Sequence, residues 1–234
     1  LGNVYELRRY AQRLESYLAA IHAGKSAPDL AELRRELRID HLLKDLSPLI
    51  EGTVEGAERT HAIVDSLKRF SAVDRNEDRS FQLARVIEQA VHWVTKAAPS
   101  TVKVLVTLPE DFLVTGSPGQ IQQVIMNLVQ NAYDATADAT SPHLEITAQR
   151  IHHPDGDQVE ISFRDNGPGI APENLQHLFE PFFTTKPVGK GTGLGLAISY
   201  GIVERHRGTL AAANDPRGGA VFTLTLPLTR RAAP

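Results

Sequence analysis

Four glycines at alternating positions, Gly189, Gly191, Gly193 and Gly195, lead into the apolar run Leu196-Ala197-Ile198. A glycine loop that feeds a helix N-terminus offers free backbone N–H groups and a favourable dipole to an anion. Further upstream, Asp165-x-Gly167-x-Gly169 follows the strand-like run from Val159 to Arg164. Glycines there let the backbone approach a ligand closely, because they carry no Cβ. The two stretches together read as a nucleotide-phosphate site split over a long loop. The dinucleotide fingerprint G-x-G-x-x-G does not apply, since Leu194 and Leu196 occupy the positions where a third glycine is needed. The pattern G-x-x-x-x-G-K-[ST] also fails, because Gly191 follows Lys190. A third set lies between Gln120 and Ala135. Ile121, Val124, Ile125, Leu128, Val129 and Ala132 recur at helical spacing and predict an amphipathic helix. Asn127 and Asn131 sit i, i+4 on one side of it, although asparagine is a mediocre helix former. One reading is a solvated face or helix-end capping. The other is that Asn131 presents its amide oxygen to Mg²⁺, which takes hard oxygen ligands and keeps waters and substrate phosphates.

Taken in order, N-L-x-x-N-A-x-D-A, D-x-G-x-G, F-E-P-F-F-T-T-K and G-x-G-T-G-L-G-L-A resemble the N box, first glycine box, F box and second glycine box of sensor histidine kinases. Gly218-Gly219, followed by AVFTLTLP, resembles the last glycine box and closing strand. Five elements in this order are far more specific than any one of them. The resemblance implies Mg²⁺ and ATP as cofactors and Asn127, Asn131 and Lys186 as the catalytic set. Asn131 is the implied Mg²⁺ ligand. Asp165 would read adenine by accepting a hydrogen bond from its exocyclic amine, although Asp-Asn-Gly also invites a plain Asx turn. Gly167 and Gly169 belong to the same box. Lys186 would lie near the polyphosphate, where an ammonium offsets anionic charge; its bland alternative is a solvated loop lysine. Gly191, Thr192, Gly193, Leu194 and Gly195 would supply backbone donors to the phosphates. Thr223 is expected to reach the adenine pocket. Phe179, Phe182 and Phe183 are either core plugs or anchors of a lid. Asn127 stands where the related gyrase-type hydrolases carry a glutamate general base, so water activation should be poor.

These residues need a scaffold. Val4, Leu7, Ala11, Leu14, Leu18 and Ile21 alternate 3 and 4 apart, which predicts an interfacial helix over residues 1 to 22 with Gly24 as its stop. Lys25 to Arg38 reads as a connector broken at Pro28, with a short helix from Leu30 to Leu37. A second long helix is expected to start at Ser47-Pro48. Its seam is Ile50, Thr53, Ala57, Thr60, Val64 and Leu67, with Ile63 and Phe70 alongside. Two such helices form a hairpin with more apolar face than one hairpin can bury. A dimeric four-helix bundle is the natural solution, a monomeric hairpin packed on the rest of the chain the alternative, and the resemblance implies the homodimer. The polar stretch Asp74 to Arg79 marks a boundary. The expected fold class is α+β, with a helical dimerisation hairpin over 1–74 and an ATP-binding α/β sandwich over 79–230, its mixed sheet covered by helices on one face. Strands are expected at 80–83, 102–108, 144–151, 159–164, 210–213 and 221–226, and helices at 84–96 and 194–205. The RRAAP tail is expected to be disordered.

Composition narrows the classes. The net charge of −3 gives no electrostatic case for nucleic acid, and the absence of Cys excludes disulfides and thiolate metal sites. No apolar run is long enough to span a bilayer, and no signal peptide is visible. The chain begins at Leu1 rather than Met and reads as a fragment, expected in the cytoplasm, whose parent could be membrane-anchored. No histidine stands in the family's acceptor pattern H-[ED]-x-x-[NT]-P, including His22, His41 and His61. The fragment is therefore expected to start just after its acceptor. The resemblance implies transfer of the γ-phosphoryl group to a histidine and relay to an aspartate on a response regulator receiver domain. A gyrase-type hydrolase, a serine-directed kinase of the same ATP fold and a nucleotide-sensing scaffold are the rival readings.

Overall fold

A computed structural model of the chain describes residues 2–71, 79–97, 102–109, 111–154, 156–187 and 191–229, with the backbone alone for residue 59 and residues 61–71. The side chains of His61, Ile63, Val64, Leu67 and Phe70 lie outside this description, as do Gly189, most of the Asp74–Arg79 linker and the RRAAP tail. The chain divides into two compact units, Leu1–Asp65 and Ser66–Pro234.

The first unit is helical: α1 (Gly2–His22), α2 (Ala27–Glu36) and most of α3 (Ile39–Ser71). α1 ends as the glycine stop requires. Gly24 takes φ +70°, and the N–H of Lys25 closes on the Ala20 carbonyl at 3.3 Å. Pro28 does not break the connector. It sits in the first turn of α2 behind the Ser26 cap, where a missing N–H costs nothing. The second long helix starts at Ile39, well before the expected Ser47-Pro48, and Pro48 lies inside it. An internal proline costs about 3 kcal/mol. Packing upstream outweighs that signal: Ile39 and Leu42 are buried, and Asp45 accepts from the Tyr10 hydroxyl at 3.4 Å. α1 and α3 run antiparallel, since Asn3 lies against Gly52 while Tyr10 lies against Asp45. The hairpin buries Tyr10, Ala20, Ile39 and Leu42. It leaves Val4, Leu18, Ile21, Leu43, Ile50 and Val54 exposed.

The second unit contains a mixed five-stranded sheet in the order β2-β4-β5-β7-β6. Its strands are β2 (Lys103–Thr107), β4 (His143–Ile151), β5 (Gln158–Asp165), β6 (Thr209–Asn214) and β7 (Ala220–Pro227). Only β2 and β4 pair in parallel. Alternation decides which face is covered. Leu144, Ile146 and Ala148 of β4 oppose Asp165, Phe163 and Ile161 of β5, and Phe163 and Ile161 oppose Phe222 and Leu224 of β7. All are buried. Three helices make up the other layer of the core: α4 (Leu83–Ala97), α5 (Pro118–Thr136) and α7 (Gly195–Arg205). The predicted apolar face of α5 is realised, with Ile121, Val124, Ile125, Leu128, Val129 and Ala132 at most 5% exposed. Burying each such large side chain contributes about 1.5–3 kcal/mol.

Two elements, β3 (Leu113–Gly116) and α6 (Pro172–Leu175), escape the sequence, while the strand expected at 80–83 forms as β1 (Arg79–Gln82). β1 pairs antiparallel with β3 as a separate two-stranded sheet. β3 carries only three β-forming residues, too few for a period. Its partners come from distant chain, since Leu113 C=O accepts from Thr229 N–H at 2.8 Å. The four-residue α6 (Pro172–Leu175) follows the first glycine box.

The turn between β6 and β7 is held by charge. Arg164 Nε lies 2.7 Å from Asp215, and Arg217 Nε lies 3.2 Å from it. These guanidiniums, Arg217 first, hold the Asp215 carboxyl well below the usual carboxylate range. A depressed folded pKa stabilises the fold above the unfolded value of about 3.9 and loses that contribution as pH falls below it. Asp215→Asn should therefore lower Tm at pH 7, and its difference from wild type should shrink below about pH 4. Thermal melts across pH 2–7 measure both.

Candidate functional site

The site is built on the edge of α5 that is not buried. Ser117 caps this helix, its hydroxyl accepting from Gln120 N–H, and Pro118 occupies the first turn. Ser117 N–H in turn donates to His206 Nε2 at 3.1 Å, while His206 Nδ1 meets the Ile202 carbonyl at 2.8 Å. One imidazole thus ties the start of α5 to the end of α7.

One helical turn separates Asn127 from Asn131, and each reaches a different segment of the glycine-rich loop. The Asn127 amide donates to the Gly195 carbonyl and to Ser199 Oγ, both at 3.1 Å. Its nitrogen is committed to holding the first turn of α7. Asn131 Oδ1 accepts from the Lys186 ammonium at 3.4 Å, and the same ammonium pairs with Asp134. Lys186 is therefore not a solvated loop lysine. A cation already rests on the amide oxygen singled out for a metal, with a carboxylate beside it. Asp134, three residues after Asn131, was not assigned a role from sequence. An acid at that helical spacing from the second asparagine, with a lysine in the loop, is the signal that could have found it.

Gly195 begins the 11-residue α7. No side chain caps this helix, and Leu194 at its N-cap position is buried. Thr192 Oγ1 accepts only a long bond from Leu194 N–H, at 3.4 Å. The first backbone N–H groups of α7 thus carry no side-chain cap, with the partial positive charge of the helix end behind them.

The F-box segment and the second glycine box are stitched at their bases. Phe182 N–H donates to the Gly193 carbonyl at 2.9 Å. Gly193 has φ +67°, and a methyl there would lie 2.3 Å from the Phe182 carbonyl carbon. Phe182 itself takes φ +71° and is exposed, a strained conformation for a bulky residue. Phe179 packs on Tyr200 of α7 with ring centroids 5.3 Å apart, and Phe183 on His177 at 5.7 Å. None of the three phenylalanines is buried, so they are surface anchors of the loop rather than core plugs. Gly191 also packs tightly, since a methyl there would lie 2.7 Å from Thr184 Oγ1.

At the other end of α5 lies Asp165, 3% exposed on the helix-covered face. The Asx turn is present, with Gly167 N–H donating to Asp165 Oδ1 at 2.8 Å, and Ala220 N–H donates to the same oxygen at 3.1 Å. Gly167 fits against the helix, where a methyl would lie 2.8 Å from the Ala135 carbonyl oxygen. Asn166 braces the neighbouring loop, accepting from His143 N–H and donating to the Ser141 carbonyl.

Thr223 does not join this group. It pairs with Ser162 on β5, and Ser162 points to the face opposite Ile161, Phe163 and Asp165. The period of two therefore puts Thr223 on the open face of the sheet, away from the Asp165 carboxyl.

A cavity of about 460 Å³ adjoins the Asn127 end of α5. Trp93, Gln123, Met126, Asn127, Thr192, Gly195 and Ile198 are among its walls. Trp93 is the single tryptophan of the chain, so its fluorescence reports on this junction. Among the described residues no cluster of three His, Cys, Asp or Glu side chains is placed to hold a metal, and no helix is long and apolar enough to cross a membrane.

Comparison with known proteins adds to this geometry. Residues 116–230 match the family described as Histidine kinase-, DNA gyrase B-, and HSP90-like ATPase. The sensor protein FixL of Bradyrhizobium diazoefficiens is 35% identical over 180 residues, which is 76% of this chain and 35% of that protein. Sporulation kinase E of Bacillus subtilis is 30% identical over 98% of this chain and 32% of its own length. The chain thus spans about a third of the length of these curated relatives. Among solved structures, the catalytic domain of histidine kinase ThkA is 32% identical with a TM-score of 0.56, covering 65% of this chain and 96% of that one.

Gly193→Ala tests the stitch. Left-handed backbone costs a non-glycine residue about 1–2 kcal/mol, and the added methyl meets the Phe182 carbonyl carbon. The variant should melt earlier than wild type, and the Trp93 response to adenine nucleotides should require higher ligand concentrations. Unchanged melting and an unchanged titration midpoint would show that the contact is dispensable.

Proposed function

The chain belongs to the histidine kinase family, and we propose that it binds Mg-ATP and passes the γ-phosphoryl group to a histidine nitrogen, for relay to an aspartate of a response regulator receiver domain. Its ATP-binding ATPase domain is shared with that family. The observation that carries the proposal is the meeting of three things along one edge of α5: the Asn131 oxygen, the Lys186 ammonium and the uncapped start of α7.

Each residue then has a part. Asp165 accepts from the adenine amine, a bond that guanine, with a carbonyl at that position, cannot donate. Gly167 and Gly169 keep the first glycine loop slim beside the base. Backbone donors of Gly191, Thr192, Gly193, Leu194 and Gly195 take the phosphates, where the helix end favours anions. Lys186 exchanges Asp134 for phosphate oxygens. The donor set suits a hard divalent cation, since the amide oxygen of Asn131 already accepts a cation and a carboxylate stands beside it. Mg²⁺ held there would offset charge on the phosphate oxygens. The imidazole nitrogen of an acceptor histidine forms the new N–P bond as the bond from the γ-phosphorus to the β–γ bridging oxygen breaks, and ADP leaves with those electrons. Positioning and charge neutralisation supply most of the acceleration in such transfers. Asn127, committed as a donor to Gly195 and Ser199, has no basic group with which to activate water. It acts as the tie that sets α7 against α5.

We assign residues 1–74 to dimerisation and 79–230 to nucleotide binding, and propose that the chain acts in the cytoplasm. The exposed apolar residues Val4, Leu18, Ile21, Ile50 and Val54 of the helical unit support a homodimer whose two hairpins form a four-helix bundle.

The proposal is tested by supplying Mg-ATP and a histidine-bearing helical substrate and measuring acid-labile, alkali-stable phosphate. Asn131→Ala should abolish transfer and weaken ATP binding only when Mg²⁺ is present. Asp165→Ala should weaken ATP and ADP alike, with metal or with chelator. Equal losses from both variants in every condition would remove the separate roles.

Leu18 is 50% exposed on the hairpin. Leu18→Glu should convert dimer to monomer by placing a carboxylate in the seam without changing helix content. Light scattering with circular dichroism measures both, and an unchanged dimer mass would reject the bundle.

A further inference from the structure

The loop Asp165–Ile170 is gripped at its far end by a residue outside every recognised motif. Asn214 ends β6, and its side-chain amide meets both polar atoms of one backbone unit. Ile170 N–H donates to Asn214 Oδ1 at 2.7 Å, and Asn214 Nδ2 donates to the Ile170 carbonyl at 2.7 Å. Gly169 leaves room for this grip: its φ is +79°, and a methyl there would lie 2.9 Å from Asn214 Oδ1. The backbone of Asn214 pairs in register with Ala220. Ala220 N–H is one of two donors to Asp165 Oδ1, and Gly167 N–H is the other. Asp165, Gly167, Ile170, Asn214 and Ala220 thus form a closed ring. Asn214 is the member that touches both arms, one through its side chain and one through its strand pairing. With Oδ1 engaged twice, Asp165 Oδ2 carries no hydrogen bond among the described residues.

We propose that Asn214 is a positioning residue for base recognition: it holds the two donors of Asp165 Oδ1 at a fixed spacing, so that Oδ2 is presented in one orientation to the exocyclic amine of adenine. The inference rests on Asp165 being the adenine reader. A carboxylate with two fixed donors on one oxygen cannot rotate about its terminal torsion, so its orienting entropy is spent on folding rather than on binding. Without the Asn214 grip, the end of the loop is free, Gly167 N–H moves with it, and the carboxylate samples several orientations.

The test uses the whole chain and compares ADP with GDP, read by Trp93 fluorescence or calorimetry. Wild type should prefer ADP. Asn214→Ala should weaken ADP by about tenfold, on the scale of one well-placed hydrogen bond, and leave GDP nearly unchanged, so the ratio narrows. Asp165→Ala should narrow the same ratio, and Asn214→Ala in that background should add little, because the two act as one unit. Asn214→Ser, which keeps a short acceptor for Ile170 N–H, should fall between wild type and Asn214→Ala, and it carries the test should the alanine variant fail to fold. A merely structural role would lower Tm and weaken ADP and GDP by the same factor, and that result, or additive losses in the double variant, would overturn the proposal. If wild type itself binds ADP and GDP equally, the adenine reading of Asp165 fails, and the role of Asn214 falls with it.

Discussion

A carboxyl group buried at the end of a strand must be hydrogen-bonded, because an unpaired one costs several kcal/mol. Asp165 meets that demand with two backbone N–H groups from different parts of the chain, Gly167 just after it and Ala220 at the start of β7. Much of the surrounding architecture serves this one oxygen. The loop must turn back at once, so Gly167 passes close beneath the end of α5. The β6–β7 turn must bring Ala220 within reach, and the Arg164–Asp215–Arg217 charges fasten that turn. The same arrangement leaves the second oxygen without a hydrogen bond among the described residues.

α5 is the wall shared by both halves of the site. Its apolar face is buried in the core, which fixes its rotation about its own axis. The asparagine edge is then aimed without further specification, since residues i and i+4 lie one above the other. Asn127 docks α7, Asn131 meets Lys186, and Ala135 meets Gly167. A slip of one residue in that helix would turn the polar edge by about 100° and lose all three contacts.

The helical unit is arranged differently. Its hairpin buries only a few side chains and leaves an apolar stripe in solvent. Together with the family to which the chain belongs, that stripe motivates the proposed bundle.

Local patterning determined much of this protein before any coordinates. The α5 period, the glycine boxes, the strand alternation of β4, β5 and β7 and the stop at Gly24 all act over a few residues, where side-chain spacing and backbone freedom are decisive. The fold class and most of the residues that meet along α5 were legible for that reason. Tertiary structure decided what depends on partners distant in sequence. β3 exists because Thr229 and β1 pair with it, and α3 passes through Pro48 because upstream packing outweighs a local breaker. Thr223 is expected in the adenine pocket, but strand register turns it to the open face. Asn214 carries no local signal of its role, and Asp134 offers only its helical spacing from Asn131. Only the folded chain brings Ile170 to one and Lys186 to the other, because hydrogen bonds and ion pairs form between neighbours in space, whatever their separation along the chain.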